Sequence, residues 1–375
     1  MSALVLGLLA CKLIDPGETP DTGATSTTTV PAGPAIETVT YDKQTNSSGR
    51  MKIVVDVPEG ATSMQLTAIA DNAYVLVEKL VGPDGETVVD GADWVGSPTS
   101  LTESFYMTSS TMAFNWPIRG EDEPLRPGEW SVWLTLGNSF GTPVPNRDCE
   151  VLVTLKSDPE PDDAVIGVQS VYADQVDDDP AVVEAVEAAV ERWRRIWENK
   201  GVTLAEHYVS SKLDPDGQYF LSGSDDVQDI SDRKEPGELQ LIVGESILND
   251  QQILGISAGI PGTIEATRQT YVLLSWLQHA GFDGEFDEEE IRIMGETMAH
   301  ETGHYIGLFH PVEIGFDAWD ALEDTDDCSD LRGCQDVLGN NLMYPYPVCN
   351  TSSCEPQGQL TDEQRVVIQQ QVSAL

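Results

Sequence analysis

Three of the five histidines in this chain fall at the spacing His-Glu-x-x-His-x-x-Gly-x-x-His. On an α-helix, His300 and His304 lie about one turn apart on the same face, so both imidazoles can reach one metal ion. Gly307 can adopt backbone angles that are closed to other residues, so the helix can end there and the chain can turn back to bring up His310. Three protein ligands leave one position of a tetrahedral zinc ion open for water, which is typical of a catalytic site. The sequence therefore predicts a catalytic zinc centre, with Glu301 beside it as the proton acceptor.

The alternative is that these histidines are core residues of an ordinary helix. The apolar positions of the same stretch are Ile291, Met294, Met298 and Tyr305. At about 100° per residue, these positions cluster on one side of the helix. His300 and His304 project away from that side, so the pattern favours metal ligands over core residues.

The charge of the chain limits its partners. Acidic residues outnumber basic ones 64 to 20, which gives a formal net charge of -44, and the acids are spread along the chain. Nucleic acid is excluded as a partner because its phosphates would be repelled. Two interpretations stay open. One is solubility in salty or calcium-rich surroundings, where counterions screen the repulsion. The other is a set of structural calcium sites built from carboxylates, for which the acid-rich residues 317–330 are the candidate. We favour the first for most of the charge.

Four cysteines follow the histidine motif, namely Cys328, Cys334, Cys349 and Cys354. Their spacings are wider than those of a zinc knuckle, so they predict two disulfides and an oxidising compartment. Three pairings are open. Cys149 has no evident partner. We favour a buried free thiol there over a thiolate that caps the metal of an inactive form.

The N-terminus has the features of an export signal. Residues 2–10 form an apolar run that is too short to span a bilayer and fits the end of a secretory signal. The sequence Leu8-Leu9-Ala10-Cys11 is similar to the bacterial lipobox, which implies lipid modification of Cys11 and a membrane anchor outside the cytoplasm. No Lys or Arg precedes the run, which departs from that pattern. Residues 12–36 are rich in Thr, Pro, Gly, Ser and Asp, and predict a flexible tether.

Two folded parts are predicted after the tether. Residues 37–157 contain short strand-like runs separated by turn signals, at 51–57, 73–80, 130–136 and 150–155, and indicate an all-β sandwich or jelly roll. Residues 158–163 are an acidic, Pro-containing linker.

Residues 164–375 predict an α+β domain. Helix starts are indicated by Asp179 followed by Pro180, by Asp287 with Glu290, and by Thr361 with Gln364. Tryptophans at helical spacing in the first of these helices are predicted core residues. Strands are predicted at 164–171, 202–209, 238–243 and 271–276, with a Gly-interrupted edge strand at 253–261.

With the motif and a distal methionine in place, residues 164–374 resemble the metzincin metalloproteases. The segment His-Glu-Thr-Gly-His-Tyr-Ile-Gly-Leu-Phe-His is most similar to the pappalysin/cytophagalysin-like branch. The resemblance implies a catalytic domain with a twisted mixed sheet, an active-site helix and a C-terminal subdomain. It implies that Glu301 is the general base and that Met343 forms an apolar floor under the metal. The implied zinc ligands are His300, His304 and His310.

The sequence also departs from that family. An Asp-Thr-Pro segment of the branch corresponds here to Asp324-Thr325-Asp326. Many related enzymes carry a tyrosine two residues after the methionine, where it stabilises the oxyanion, but this chain has Pro345 there. Tyr344 and Tyr346 flank the proline, and neither is assigned from the sequence.

The expected function is that of a zinc-dependent endopeptidase acting on extracellular proteins or peptides, lipid-anchored or secreted. The substrate is expected to lie extended along the edge strand near residues 255–260. The alternative is a surface adhesin or binding lipoprotein in which the β-sandwich carries the function. A complete zinc motif that includes Glu301 argues against it, because a binding protein needs no base. His207 and His279 are predicted to be surface or packing residues.

Overall fold

The computed structural model describes residues 35–158, 164–173, 176–210, 227, 230–231, 237–247, 253–268, 270–281, 284–350 and 353–375. The side chains of residues 207–210 are outside this description. All described residues belong to one compact unit. The predicted lipobox with Cys11, and the predicted tether as far as residue 34, lie outside the described residues.

The N-terminal half of the chain forms two antiparallel four-stranded sheets. The first contains, in spatial order, β1 (Ala35–Gln44), β9 (Asp148–Ser157), β3 (Ala61–Ile69) and β7 (Thr111–Trp116). The second contains β2 (Arg50–Val57), β8 (Gly128–Gly137), β4 (Tyr74–Val81) and β5 (Thr87–Asp90). We call these two sheets, with their connecting loops, the N-terminal sheets.

The alternating pattern of β2 shows why these residues form strands with one buried face. Its residues alternate between exposed and buried along the whole strand, as expected when successive side chains point to opposite faces. The buried residues include Ile53 of this strand, Val132 and Leu134 of β8, and Leu66 of β3. The predicted strands are confirmed. Their closure into an independent sandwich domain stays a prediction.

A five-stranded sheet follows in the C-terminal half. Its spatial order is β11 (Val202–Ser210), β10 (Ala164–Tyr172), β12 (Leu239–Gly244), β14 (Val272–Ser275) and β13 (Gly255–Ser257). The first four strands are parallel, and β13 runs antiparallel to β14 at the edge. Every residue of β12 and β14 is buried, which is typical of a parallel sheet covered on both faces. The mixed sheet and its antiparallel edge strand agree with the predicted α+β fold.

Helices α1 (Pro180–Glu198) and α2 (Glu288–Tyr305) pack against each other. Helix α1 begins at the predicted N-cap, where the side chain of Asp179 accepts a hydrogen bond from the N–H of Ala181. Trp193 and Trp197 are buried, as predicted. The motif helix α2 begins with the predicted capping box of Asp287 and Glu290.

Two shorter helices also lie in the described part of this half of the chain, α3 (Leu331–Leu338) and α4 (Asp362–Gln370). Helix α4 begins at the predicted capping box of Thr361 and Gln364. Helix α3 is not predicted from the sequence, because its N-cap, Asp330, is one of many acidic residues in the preceding stretch. None of the helices that the structure describes is long and apolar enough to cross a membrane.

The cysteine pairing that the sequence left open is settled by the fold. Cys328 pairs with Cys334 and Cys349 pairs with Cys354. The two bridges indicate an oxidising environment. Cys149 is free and buried in β9, as favoured from the sequence. Burial raises the pKa of its thiol to about 12, which disfavours the thiolate that a metal cap would need.

The boundaries of the predicted tether and linker differ from the structure. Strand β1 begins at Ala35, so residues 35–36 belong to a sheet and not to the tether. Asp158, predicted to begin the linker, is buried next to Lys156, with 3.3 Å between the ammonium nitrogen and the carboxylate oxygen. The remaining linker residues, 159–163, lie outside the described residues.

Lys156 connects the N-terminal sheets to the end of the chain. Only 1% of its side chain is exposed. Its ammonium group donates hydrogen bonds to the main-chain oxygens of Gln369, at 2.9 Å, and of Ala374. Desolvation lowers the pKa of Lys156, and the neighbouring Asp158 opposes that effect. Removing the lysine would leave a carboxylate and two carbonyls buried without their cation.

We expect Lys156→Met to lower the free energy of unfolding by about 3–5 kcal/mol, the usual cost of breaking one side of a buried ion pair. The measurement is denaturant unfolding at neutral pH. Lys52→Met is the matched control, because Lys52 is exposed on β2. Equal stability of the two variants would contradict the role given to Lys156.

Candidate metal centre

The three motif histidines converge because α2 ends at the predicted place. The helix stops at Tyr305, and Gly307 adopts a positive φ of 104°. The N–H of Leu308 then bonds to the oxygen of Gly303 at 2.9 Å, which closes the helix end. The chain turns back and places His310 beside the two helical imidazoles.

The spacing of the imidazole nitrogens fits one tetrahedral metal ion. The Nε2 atom of His310 lies 3.1 Å from that of His304 and 3.3 Å from that of His300. Nitrogens bound at about 2.0–2.1 Å in a tetrahedral zinc site are roughly 3.3 Å apart. Among the described residues, these histidines are the group of three or more ligating side chains near enough to share an ion. The residues present therefore fit zinc.

The other ring nitrogen of each histidine is held by an oxygen atom. Nδ1 of His300 lies 2.7 Å from the oxygen of Leu342, and Nδ1 of His304 lies 2.7 Å from the oxygen of Leu308. Nδ1 of His310 lies 3.0 Å from a carboxylate oxygen of Glu313. These acceptors place the proton on Nδ1 and leave the Nε2 lone pairs free to bind a metal.

Electrostatics also favours neutral rings at this site. Burial, followed by the proximity of His310, lowers the pKa of His300 to about 3. Burial, followed by the two neighbouring rings, lowers the pKa of His304 well below its ordinary value. A neutral imidazole is the form that binds a metal, so no deprotonation step opposes binding near pH 7.

Glu301 lies between α2 and the edge strand. Burial raises the pKa of its carboxyl group to about 8, and the hydrogen bond donated by the N–H of Ser257 opposes that shift. The strand approaches closely because residue 255 is glycine. A Cβ atom there would lie 2.6 Å from Cγ of Glu301 and 3.0 Å from Cγ2 of Thr297.

Met343 lies directly under the motif helix. It is fully buried, and its sulfur would be 2.7 Å from a Cβ atom at Gly303. The turn is fixed by Asn341, whose side-chain oxygen accepts the N–H of Met343 at 2.8 Å and whose amide bonds to Gln364 at 3.1 Å. The glycine inside the motif thus lets the methionine pack against the helix. The role of Met343 as an apolar floor under the metal stays a prediction.

A cavity of about 450 Å³ opens next to His300 and Glu301. We call it the motif cavity. Its wall is mainly apolar and includes Ile253, Leu254, Ile293, Ile314, Pro345 and Pro347. Both candidate tyrosines also line it. The hydroxyl of Tyr344 donates to that of Tyr346 at 3.3 Å. Tyr344 is buried and Tyr346 is half-buried, so the second hydroxyl is the more accessible one.

The other residues singled out in the sequence do not belong to the group of three histidines. His279 is buried, with its ring nitrogens near the oxygen of Ser275 and the hydroxyl of Thr297. It is a packing residue, which is one of the two roles that the sequence predicts for it. The side chain of His207 is outside the described residues. In the acidic stretch, Asp320 accepts from the hydroxyl of Thr325, and no calcium site is seen among its described side chains.

Several residues that shape the site were not found from the sequence. Leu308 and Leu342 contribute through main-chain oxygens, which carry no side-chain signal. From the sequence, Gly255 is predicted only to interrupt the edge strand. Glu313 lies three residues after His310, and that short spacing was the one local sign of its contact.

We expect Glu313→Ala to weaken zinc binding about 10–100-fold, because a ligand loses the acceptor that orients it. Competition with a fluorescent chelator measures the affinity. Asp326→Ala is the matched control, since Asp326 is exposed in the same acidic region. An unchanged dissociation constant in Glu313→Ala would show that the contact to His310 does not support binding.

No protein-family model matches the chain, and no curated protein matches its sequence. Among solved structures, it is similar to metalloproteinase-II from Bacteroides fragilis, with 9% identity and a TM-score of 0.33 over 58% of this chain and 62% of that chain. It is also similar to archaemetzincin from Methanopyrus kandleri, with 14% identity and a TM-score of 0.28 over 55% of this chain and 86% of that chain. The matched region spans less than two thirds of the Bacteroides protein. TM-scores this low carry no argument about the fold or the function of this chain.

Proposed function

We propose that the chain is a zinc-dependent endopeptidase of the metzincin type. One observation carries the proposal. Three imidazoles converge with tetrahedral spacing, and a half-buried carboxyl group, that of Glu301, lies beside them at the edge strand. A structural zinc site has four protein ligands and no base, whereas this arrangement offers three ligands and a base.

The edge strand supplies a place for a peptide. The oxygen of Leu254 accepts the N–H of Ser275 in β14, and the N–H of Ala258 donates to the oxygen of Tyr271, the residue just before β14. In an antiparallel ladder the intervening residues, Gly255 and Ser257, direct their main-chain groups away from that partner. The outward N–H of Ser257 reaches Glu301. A substrate strand added along this edge would therefore pass directly over the proposed base.

Zinc, when bound, supplies positive charge that lowers the pKa of water to about 7 and polarises the scissile carbonyl. Glu301 accepts a proton from the attacking water and later gives it to the leaving amine. The water oxygen adds to the carbonyl carbon, the C–N bond breaks, and a carboxylate and an amine result. The Nδ1 contacts of the three histidines keep the rings fixed throughout.

Tyr346 is the better candidate for stabilising the oxyanion. Its hydroxyl accepts a hydrogen bond from Tyr344, so its own proton is free to be donated into the motif cavity. Burial raises the pKa of Tyr344 above its ordinary value, and the contact with Tyr346 acts in the same direction. Tyr344 therefore stays a neutral donor that orients its neighbour.

The wider assignments belong to the same proposal. We place the chain in the pappalysin/cytophagalysin-like branch because its histidine motif is most similar to that branch. The proposed substrates are extracellular proteins or peptides. The two disulfides support an oxidising location. Lipid anchoring through Cys11, and an accessory sandwich domain at 37–157 that precedes a catalytic domain at 164–375, are proposed on the sequence pattern.

We expect Glu301→Gln to lower kcat on casein or a quenched peptide by about 10²–10⁴-fold, the usual contribution of a general base. Zinc content and melting temperature should stay unchanged, because the amide keeps the shape of the side chain. The matched control is Glu288→Gln, an exposed glutamate at the start of the same helix. Full cleavage by Glu301→Gln would refute the proposal. A zinc-loaded wild type without peptidase activity would favour the adhesin alternative.

For the tyrosines, we expect Tyr346→Phe to lower kcat by about 10²–10³-fold, as for loss of one oxyanion donor, with little change in KM. Tyr344→Phe should lower kcat less, because it only orients the donor. Steady-state kinetics on one peptide compares the two variants directly. A larger loss in Tyr344→Phe would reverse the assignment.

A further inference from the structure

A further cavity lies between helix α1 and the strands β10 and β11, at the edge of the five-stranded sheet opposite to β13. It has a volume of about 560 Å³, and we call it the α1 cavity. This volume is in the range of protein pockets that hold small molecules. The α1 cavity and the motif cavity share no lining residue, so the two are separate sites and binding in one does not depend on the proposed peptidase function.

Helix α1 supplies an apolar wall. Val183, Val186 and Val190 line the cavity at helical spacing, so they lie on one face of the helix. Val186 and Val190 are buried, and Val183 is half-buried. The same face carries Glu187, which is exposed. A ligand in this cavity would therefore contact methyl groups along the helix and meet a carboxylate where the helix reaches solvent.

The sheet supplies a polar wall at positions where apolar residues are expected. Alternate residues of a strand point to the same face. In β11, Val202 and Leu204 are buried in the core that contains residues of α1, and the next residue on their face is Glu206. In β10, Ser170 follows the buried Val168 in the same way. Glu206 and Ser170 both line the cavity, so the apolar pattern of the sheet is interrupted at this place.

The hydroxyl group of Ser170 lacks a hydrogen-bond partner. Only 3% of this residue is exposed, and none of the described groups bonds to its oxygen atom. Buried hydroxyls are nearly always hydrogen-bonded, because an unpaired polar group in the interior is destabilising. The oxygen of a hydroxyl can accept a hydrogen bond, so a ligand that donates one into the cavity would satisfy Ser170.

The charges around the cavity favour a cationic ligand. Three carboxylates line it, those of Asp177, Glu187 and Glu206, together with one guanidinium group, that of Arg194. The Nη1 atom of Arg194 donates to a carboxylate oxygen of Glu191 at 2.5 Å, and Glu191 is not part of the lining. The charge of the arginine is thereby offset, and the cavity keeps an excess of negative charge.

The spacing of these carboxylates suits an extended ligand better than a metal ion. Among the described side chains, the three motif histidines are the group of possible metal ligands whose atoms all lie within 4.8 Å of one another. The three carboxylates of the α1 cavity do not form such a group. Separated carboxylates and an apolar wall are complementary to separated ammonium groups joined by methylene chains, because ammonium groups donate hydrogen bonds and accept none, while methylene groups gain by leaving water.

We propose that the α1 cavity is a binding site for an aliphatic polyamine. The methylene groups of the ligand contact the valines of α1, and its ammonium groups bind Glu187 and Glu206. One ammonium group donates a hydrogen bond to Ser170. The site lies at the other edge of the sheet from the metal centre, and no covalent step takes place in it.

The first test is calorimetric titration of the zinc-loaded full chain with spermidine at physiological ionic strength. We expect one saturable site per chain, distinct from the weak and salt-sensitive binding of any cation to so acidic a surface. Glu187→Gln and Glu206→Gln should each raise the dissociation constant about 10–100-fold, the range for a hydrogen bond to a charged group. Because Glu187 is exposed, its variant tests the proposal even if Glu206→Gln folds poorly.

Glu184→Gln is the matched control, because Glu184 is exposed on α1 outside the cavity lining and its substitution changes the net charge by the same amount. It should leave the dissociation constant unchanged. A loss of affinity in Glu187→Gln that the control does not share supports the site. Absence of a saturable site, unchanged affinity in Glu187→Gln, or an equal loss in Glu184→Gln overturns the proposal.

The second test keeps all the carboxylates. Val183→Lys introduces an ammonium group on the half-buried edge of the apolar wall, where it should compete with the ligand and raise the dissociation constant for spermidine about tenfold or more. Pentylamine, with a single ammonium group, should bind the unchanged chain more weakly than spermidine by a similar factor. Unchanged spermidine binding by Val183→Lys, equal affinity for the two amines, or displacement of spermidine by an equal concentration of CaCl₂ overturns the assignment.

Discussion

The close approach of three desolvated imidazole nitrogens is the arrangement on which the rest of this structure depends. Three lone pairs separated by 3.1 and 3.3 Å along two of the edges repel one another unless a cation lies between them. The protein holds them by contacts from outside the triangle. A turn at Gly307 brings up the third ring, while Met343 packs under the helix. Two of the acceptors for the Nδ1 atoms, Leu308 and Glu313, lie on either side of His310 in the segment after the helix, and the third is the distant Leu342.

The N-terminal sheets make contacts that support this arrangement. Gln65 and Glu103 hold the segment after the edge strand. Lys156 holds the end of the last helix. That helix is linked through Gln364 to Asn341, and Asn341 fixes the turn that carries Met343. Contacts that begin in the first sheets therefore end under the metal centre, through residues distant in sequence.

Features that depend on neighbouring residues are predictable from this sequence, whereas contacts between residues distant in the chain are not. The capping residues Asp179, Asp287 and Thr361 act within three residues of themselves, so the starts of α1, α2 and α4 are predictable. Asp330 caps α3 in the same local way, but other acidic residues surround it in the sequence. The histidine motif is local in the same sense. The oxygen of Leu342 that orients His300 is 42 residues away, and no side chain marks it. Lys156 likewise carries no sign of its partners, because its burial exists only once the two halves have packed. The cysteine pairing also depends on how the loops fold, so the sequence leaves three pairings open.

The bridge between Cys349 and Cys354 makes one part of the structure depend on the redox state of the surroundings. It closes a loop with a sequence separation of only 5 residues, so it restricts the unfolded chain little and contributes little to global stability. Its effect is confined to the attachment of this segment to α2, where the N–H of Cys354 bonds to Glu289 and its oxygen accepts from Arg292. In a reducing milieu the packed core of the molecule would persist, and only this attachment to the first turns of α2 would loosen.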